Sequence, residues 1–151
     1  MSDSRSGDDG DRPPHARAGY LALVFVGGLA GTLARFGFAG MIPTPAGLPL
    51  GILLVNLAGA LALGLLLEAL ARRGPDVGPR RAARLLLGTG FLGGFTTYSA
   101  LAVDSVLLVG EGRIVEGIAY LVGSVLMGLC ATSLGFAAGR RFGPDRSGGI
   151  A

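Results

Sequence analysis

Charge is scarce in this 151-residue chain: 15% of residues are charged against 50% hydrophobic, and the mean hydropathy is +0.60. A soluble globular domain carries roughly a quarter charged residues. That shortage makes the lipid bilayer, not water, the expected solvent for most of the chain. Lysine is absent, and all 13 basic residues are Arg. The single cysteine, Cys130, excludes an intrachain disulfide, and inside an apolar run it reads as a small buried hydrophobe. The single histidine, His15, stands in a polar stretch without metal-ligand neighbours. No Ser-His-Asp order, no paired carboxylates inside an apolar run and no cluster with metal-ligand spacing is present, so an enzyme reading has no residues to rest on.

What the chain has instead is four long runs without any charge: Ala18–Ala34, Leu50–Leu67, Leu85–Val103 and Gly117–Gly139. Crossing a hydrocarbon core takes about 20 helical residues. The expected fold is therefore all-α and integral to the membrane, with spans at 18–39, 49–71, 83–109 and 115–139. Residues 1–17, rich in Ser, Asp, Gly, Arg and Pro, are expected to form a disordered tail, and 143–151 a second one, flanking a four-span domain at 18–142. The first run is not read as a cleaved signal peptide, because a polar stretch precedes it and three more spans follow.

The formal charge of +3 could suggest nucleic acid, but the arginines follow the membrane. Arg5, Arg12 and Arg17 precede the first span; Arg72, Arg73, Arg80, Arg81 and Arg84 lie between the second and third; Arg140, Arg141 and Arg146 follow the fourth. With four spans these segments share one side, leaving only Arg35 and Arg113 on the other, eleven against two. The positive-inside rule then puts both termini in the cytoplasm of a multi-pass cell-membrane protein that binds no nucleic acid.

Twenty-eight glycines are spread through the spans, where small residues let neighbouring helices approach closely. The run Gly90-Phe91-Leu92-Gly93-Gly94-Phe95-Thr96-Thr97-Tyr98-Ser99 adds something else. Two adjacent glycines weaken a helix, and the hydroxyls after them can cap a new start, so a broken third helix is predicted. Backbone groups freed in hydrocarbon need protein, water or an ion to satisfy them, and mid-membrane breaks recur at ion sites. A close-packed glycine kink is the plainer alternative. Asn56 is a mid-span amide that needs partners, either as interhelical glue or as part of a pathway. Tyr120 and Ser124 share one helix face by their i, i+4 spacing.

With these residues the chain resembles the Fluc (CrcB) family of fluoride channels. The resemblance runs through all four spans and rests on Gly27-Gly28-Leu29-Ala30-Gly31 with Arg35, on Val55-Asn56 with Gly59, and most specifically on the Gly90–Ser99 run. It implies an antiparallel dimer with two fluoride pores and a central structural sodium ion, held by the backbone carbonyls of Gly93 and Thr96. It also implies that Asn56, Thr97, Tyr98, Ser99, Tyr120 and Ser124 line the fluoride path, with Tyr98 as its first aromatic and Arg35 as the family arginine of span one. Donors without a fixed cation suit a small, strongly hydrated anion that must also leave, and passive flow out of the cytoplasm, relieving fluoride toxicity, is the expected activity.

The sequence departs from the family in three places. Tyr98 stands where Phe is usual, Leu101 where a second pore aromatic is expected, and Asp104 where a glutamate is common. Arg35 and Asp104, at the same membrane face, could pair, although Arg35 could equally snorkel to the interface. The charge bias predicts one fixed orientation, so the antiparallel partner is expected to be a second homologous subunit of opposite bias that supplies the ring missing at Leu101; a homodimer is the alternative. A small four-span drug or cation exporter would need a membrane-embedded carboxylate, whereas Glu68 and Asp104 lie near span ends. A non-transporting assembly subunit leaves Asn56 and the broken span unexplained.

Overall fold

The computed structural model describes residues 18–141; the expected tails at 1–17 and 143–151, with His15 and the arginines in them, lie outside the described residues. Helix α1 is Ala18–Met41 and α2 is Leu50–Arg72. Between them, one 3-10 turn at Pro45–Gly47 follows the proline-marked connection. The third span opens with helical Gly78–Ala83, widens into a π-helical stretch at Arg84–Leu92 and closes with one turn at Gly93–Phe95. These three pieces, residues 78–95, are called α3. Helix α4 is Tyr98–Gly110 and α5 is Ile114–Arg141. Four helical segments are long and apolar enough to cross a membrane, with residues 78–110 counted as one. Among the described residues there is no strand.

Two close helix pairs organise the bundle, and glycine makes both. A Cβ on Gly27 would stand 2.9 Å from Phe91 N and one on Gly31 2.9 Å from Phe95 N, while one on Gly90 would stand 3.0 Å from Gly27 Cα and one on Gly94 3.0 Å from Gly28 Cα. Thus α1 and α3 touch backbone to backbone. Helices α2 and α5 do the same, where a methyl on Gly64 would reach 3.1 Å from Phe136 N and one on Gly135 2.8 Å from Leu65 N. Apolar lipid gives helices no hydrophobic reason to associate, so contact at this range, through dispersion, holds such pairs together.

The polar ends are stapled by charge. Glu68 accepts from Arg72 Nε at 2.8 Å and lies 3.8 Å from Arg140 Nε, joining the end of α2 to the end of α5. Asp76 accepts from Arg84 Nη2 at 2.6 Å. Arg84 and Arg81 hold the Asp76 carboxyl below its ordinary value, chiefly through that hydrogen bond. At the opposite end Arg113 pairs with Glu116 and Glu111. Seven of the eleven same-side arginines are among the described residues and gather at the end bearing Glu68 and Asp76, as the loop count predicts.

Candidate functional site: the break in the third span

The break falls two residues later than the glycine pair suggests. Gly93 keeps helical angles, φ −64° and ψ −37°, whereas Thr96 and Thr97 are extended at φ −80°, ψ 158° and φ −151°, ψ 125°. Gly94 serves close approach to α1, Gly93 lies exposed, and the threonines make the interruption. Thr96 N–H and Thr96 Oγ1 both donate to Leu92 O at 2.9 Å, closing α3. Thr97 Oγ1 accepts from Ala100 N at 3.2 Å and lies 3.1 Å from Ser99 Oγ, capping the start of α4.

The freed backbone groups are met from neighbouring helices. Asn56 of α2 donates from Nδ2 to Thr97 O at 2.9 Å, and its Oδ1 accepts from Thr97 N at 2.7 Å. Arg35 of α1 donates from Nη1 to Thr96 O at 3.3 Å, and Thr32 Oγ1 donates to Gly94 O at 3.4 Å. Arg35 thus sits at the C-terminal, electronegative end of α3. No ion pair joins it to Asp104; the break carbonyl takes the guanidinium instead. Asp104 Oδ2 is buried without a hydrogen-bond partner among the described residues.

The Gly93 carbonyl is among those the break releases. In a continuous helix the Thr97 N–H would donate to Gly93 O, but here it goes to Asn56. Gly93 is exposed on the surface of the chain, and Thr96 O lies three residues further on at the same helix end. Gly93 O, released by the break, and Thr96 O, which also accepts from Arg35, are the carbonyls that would hold the sodium ion the resemblance implies.

Beside the break lies a cavity of 380 Å³ whose wall includes Asn56, Thr89, Gly93, Thr96, Thr97, Tyr98, Leu101 and Thr132. Among the described residues no charged side chain lines it. The N-terminus of α4, an electropositive helix end, starts at this wall. Tyr98 is 73% exposed. Ser99 is exposed beside it without reaching the wall.

Tyr120 and Ser124 are placed differently. They are 8% and 7% exposed, inside the chain, and neither lines the cavity. Tyr120 Oη donates to Pro49 O at 3.1 Å, and Ser124 Oγ to Tyr120 O at 2.5 Å. Leu101 is 5% exposed and packs with Tyr120 and Leu108, while its other flank meets the cavity. Sequence reading passed over Thr89 and Thr132. Thr132 could have been found by continuing the Tyr120, Ser124 spacing through Gly128 to the next turn of the same face.

A family profile described as "CrcB-like protein, Camphor Resistance (CrcB)" matches residues 22–136. The chain belongs to the CrcB family. It is 45% identical over 134 residues to "Fluoride-specific ion channel FluC 2" of Leifsonia xyli subsp. xyli, covering 89% of this chain and 92% of that one. It is 51% identical over 120 residues to "Fluoride-specific ion channel FluC 1" of Cutibacterium acnes, with 74% and 84% covered. The CrcB relative from Paracoccus denitrificans, "Fluoride-specific ion channel FluC", is 48% identical over 120 residues, with 78% and 91% covered. These CrcB proteins are named as channels and not as enzymes, in keeping with the absence of a catalytic constellation in the sequence.

Proposed function

We propose that this chain is a fluoride-conducting subunit that lets fluoride leave the cytoplasm passively and so relieves its toxicity. The observation that carries the reading is the uncharged cavity at the break, where an amide, four threonines, the Tyr98 ring and a helix N-terminus meet. Replacing the water of a small anion takes several donors, and leaving again requires that none be a full cation. Asn56 spends its oxygen and one N–H on Thr97, which leaves its second N–H for an anion. Thr97, Ser99 and Tyr98 continue the path from the break. Tyr120 and Ser124 extend it once their hydroxyls turn from Pro49 O and Tyr120 O, a rotation about one bond for Ser124.

In the same proposal the chain works as an antiparallel dimer, with both termini of each bias-bearing chain on the cytoplasmic side. The Gly93 and Thr96 carbonyls of two chains hold a structural sodium ion, which offsets the negative ends of two half-helices. Eleven arginines against two fix one orientation, so the partner is a homologous subunit of opposite bias. That partner supplies the ring absent at Leu101.

The test is fluoride-electrode efflux from proteoliposomes, with chloride as the control. Fluoride release without chloride release is expected; equal permeation of the two ions contradicts the proposal. Full efflux from this chain alone, equal to that of a co-reconstituted pair, removes the heterodimer from it.

A further inference from the structure

At the arginine-rich end of the bundle a second cavity, of 400 Å³, opens between the start of α1 and the start of α3. It is lined by the apolar Leu21, Val24 and Leu85 and by Thr89, Tyr20, Arg81 and Arg84. The two arginines share one carboxylate: Asp76 accepts from Arg84 Nη2 at 2.6 Å and lies 3.7 Å from Arg81 Nε. One positive charge is therefore left over, and Arg84 Nη1 and the Arg81 terminal nitrogens have no acceptor among the described residues. The surroundings add to it, since the described part of this end carries seven arginines against Glu68 and Asp76. A tyrosine and two arginines lining one cleft with apolar side chains have the chemistry of a membrane–water boundary.

We infer that this cleft binds an anionic glycerophospholipid, its headgroup phosphate between Arg81 and Arg84 and an acyl chain against Leu21, Val24 and Leu85. The inference needs only that the chain spans a membrane and does not depend on which ion it conducts. Guanidinium groups donate to phosphate oxygens through several N–H groups at once. One uncompensated arginine near a membrane surface contributes about 1 kcal/mol towards anionic lipid, which is about a fivefold preference over a zwitterionic one.

The test is native mass spectrometry of the full chain extracted from bilayers of equal phosphatidylglycerol and phosphatidylcholine, counting retained lipid. The wild type should retain phosphatidylglycerol about fivefold over phosphatidylcholine. R81Q/R84Q should lose that preference. Because R84Q also removes a partner of Asp76, Val24→Trp provides a second arm that fills the cleft and keeps every charge; it should lower phosphatidylglycerol retention too. Undiminished retention in Val24→Trp would overturn the inference, as when phosphate is held without an acyl chain. So would equal retention of both lipids by the wild type, the result expected if a partner subunit covers the cleft. A loss in Arg141→Gln as large as in R81Q/R84Q would also overturn it, since it would mean a diffuse field and no site.

Discussion

Asn56 and Thr97 exchange two hydrogen bonds across 41 residues, Nδ2 to O at 2.9 Å and N to Oδ1 at 2.7 Å, so one side-chain amide takes the place of the helix at the break. The same pairing that satisfies Thr97 also takes its N–H away from Gly93. Structural support for the break and the release of a carbonyl are thus one event.

Asn56→Ala is expected to leave both Thr97 groups without their partner. An unsatisfied buried group costs about 1–3 kcal/mol, while interhelical side-chain bonds in membranes average about 0.6. Two bonds lost together place the expected destabilisation at about 1–2 kcal/mol. Reversible unfolding in detergent measures it. Asn56→Asp keeps the acceptor and loses the donor, setting a carboxylate against Thr97 O, and should be at least as destabilising. Fluoride efflux should fall in both; a variant with wild-type stability and efflux would show that the pair supports nothing.

Gly94→Ala sets a methyl against the backbone of Gly28, an atom that cannot turn aside. Small-to-large changes in a packed core cost about 1–3 kcal/mol when side chains can adjust. Here only the whole of α1 can move, so the expected loss lies at or above the upper end. Gly128→Ala is the control, because nothing stands within 4 Å of its added methyl. The measurement is the thermal midpoint of the two variants in the same detergent, and equal midpoints would contradict the close approach of α1 and α3.

Four spans were legible because charge-free runs of sufficient length have few other meanings. The break was legible from the hydroxyls, since Thr97 does cap α4 through Ala100 N. Its position was not. A glycine pair signals flexibility or close packing equally well, and only the facing glycines of α1 decide for packing. The π-helical stretch at Arg84–Leu92 left no pattern in Leu85-Leu86-Leu87-Gly88-Thr89-Gly90, because a widened turn is set by what presses on it. Arg35 was drawn towards Asp104 by charge alone; the carbonyl it bonds has no side-chain signature to read.

Asp76 gives the arginine-rich end a pH dependence. Its carboxyl is lowered from 3.8 by the Arg84 hydrogen bond, so the folded state favours the charged form. The stabilisation is present in full above the ordinary carboxylate value and is lost as the pH falls past it through the lowered one. The side chain is 44% exposed, which keeps the effect small through solvent screening. The difference in thermal midpoint between wild type and Asp76→Asn should therefore be constant near neutrality and shrink below pH 3.8. A difference that grows on acidification would reverse the assignment.

Tyr98 separates the ring from the hydroxyl. It is the first residue of α4, 73% exposed, and its hydroxyl makes no hydrogen bond within the described residues. Tyr98→Phe should change stability by no more than about 0.5 kcal/mol, as exposed positions do, and should keep fluoride efflux. Tyr98→Ala removes the ring edge that can face an anion. Aromatic edge contacts are worth about 0.5–1.5 kcal/mol, and about 1.4 kcal/mol of barrier is tenfold in rate. Efflux should then fall between about twofold and tenfold with the fold intact. Far-ultraviolet circular dichroism checks the fold and the fluoride electrode the rate. If Tyr98→Ala conducts as the wild type does, the path does not pass the ring; if Tyr98→Phe alone is impaired, the hydroxyl, and not the ring, is what this chain uses.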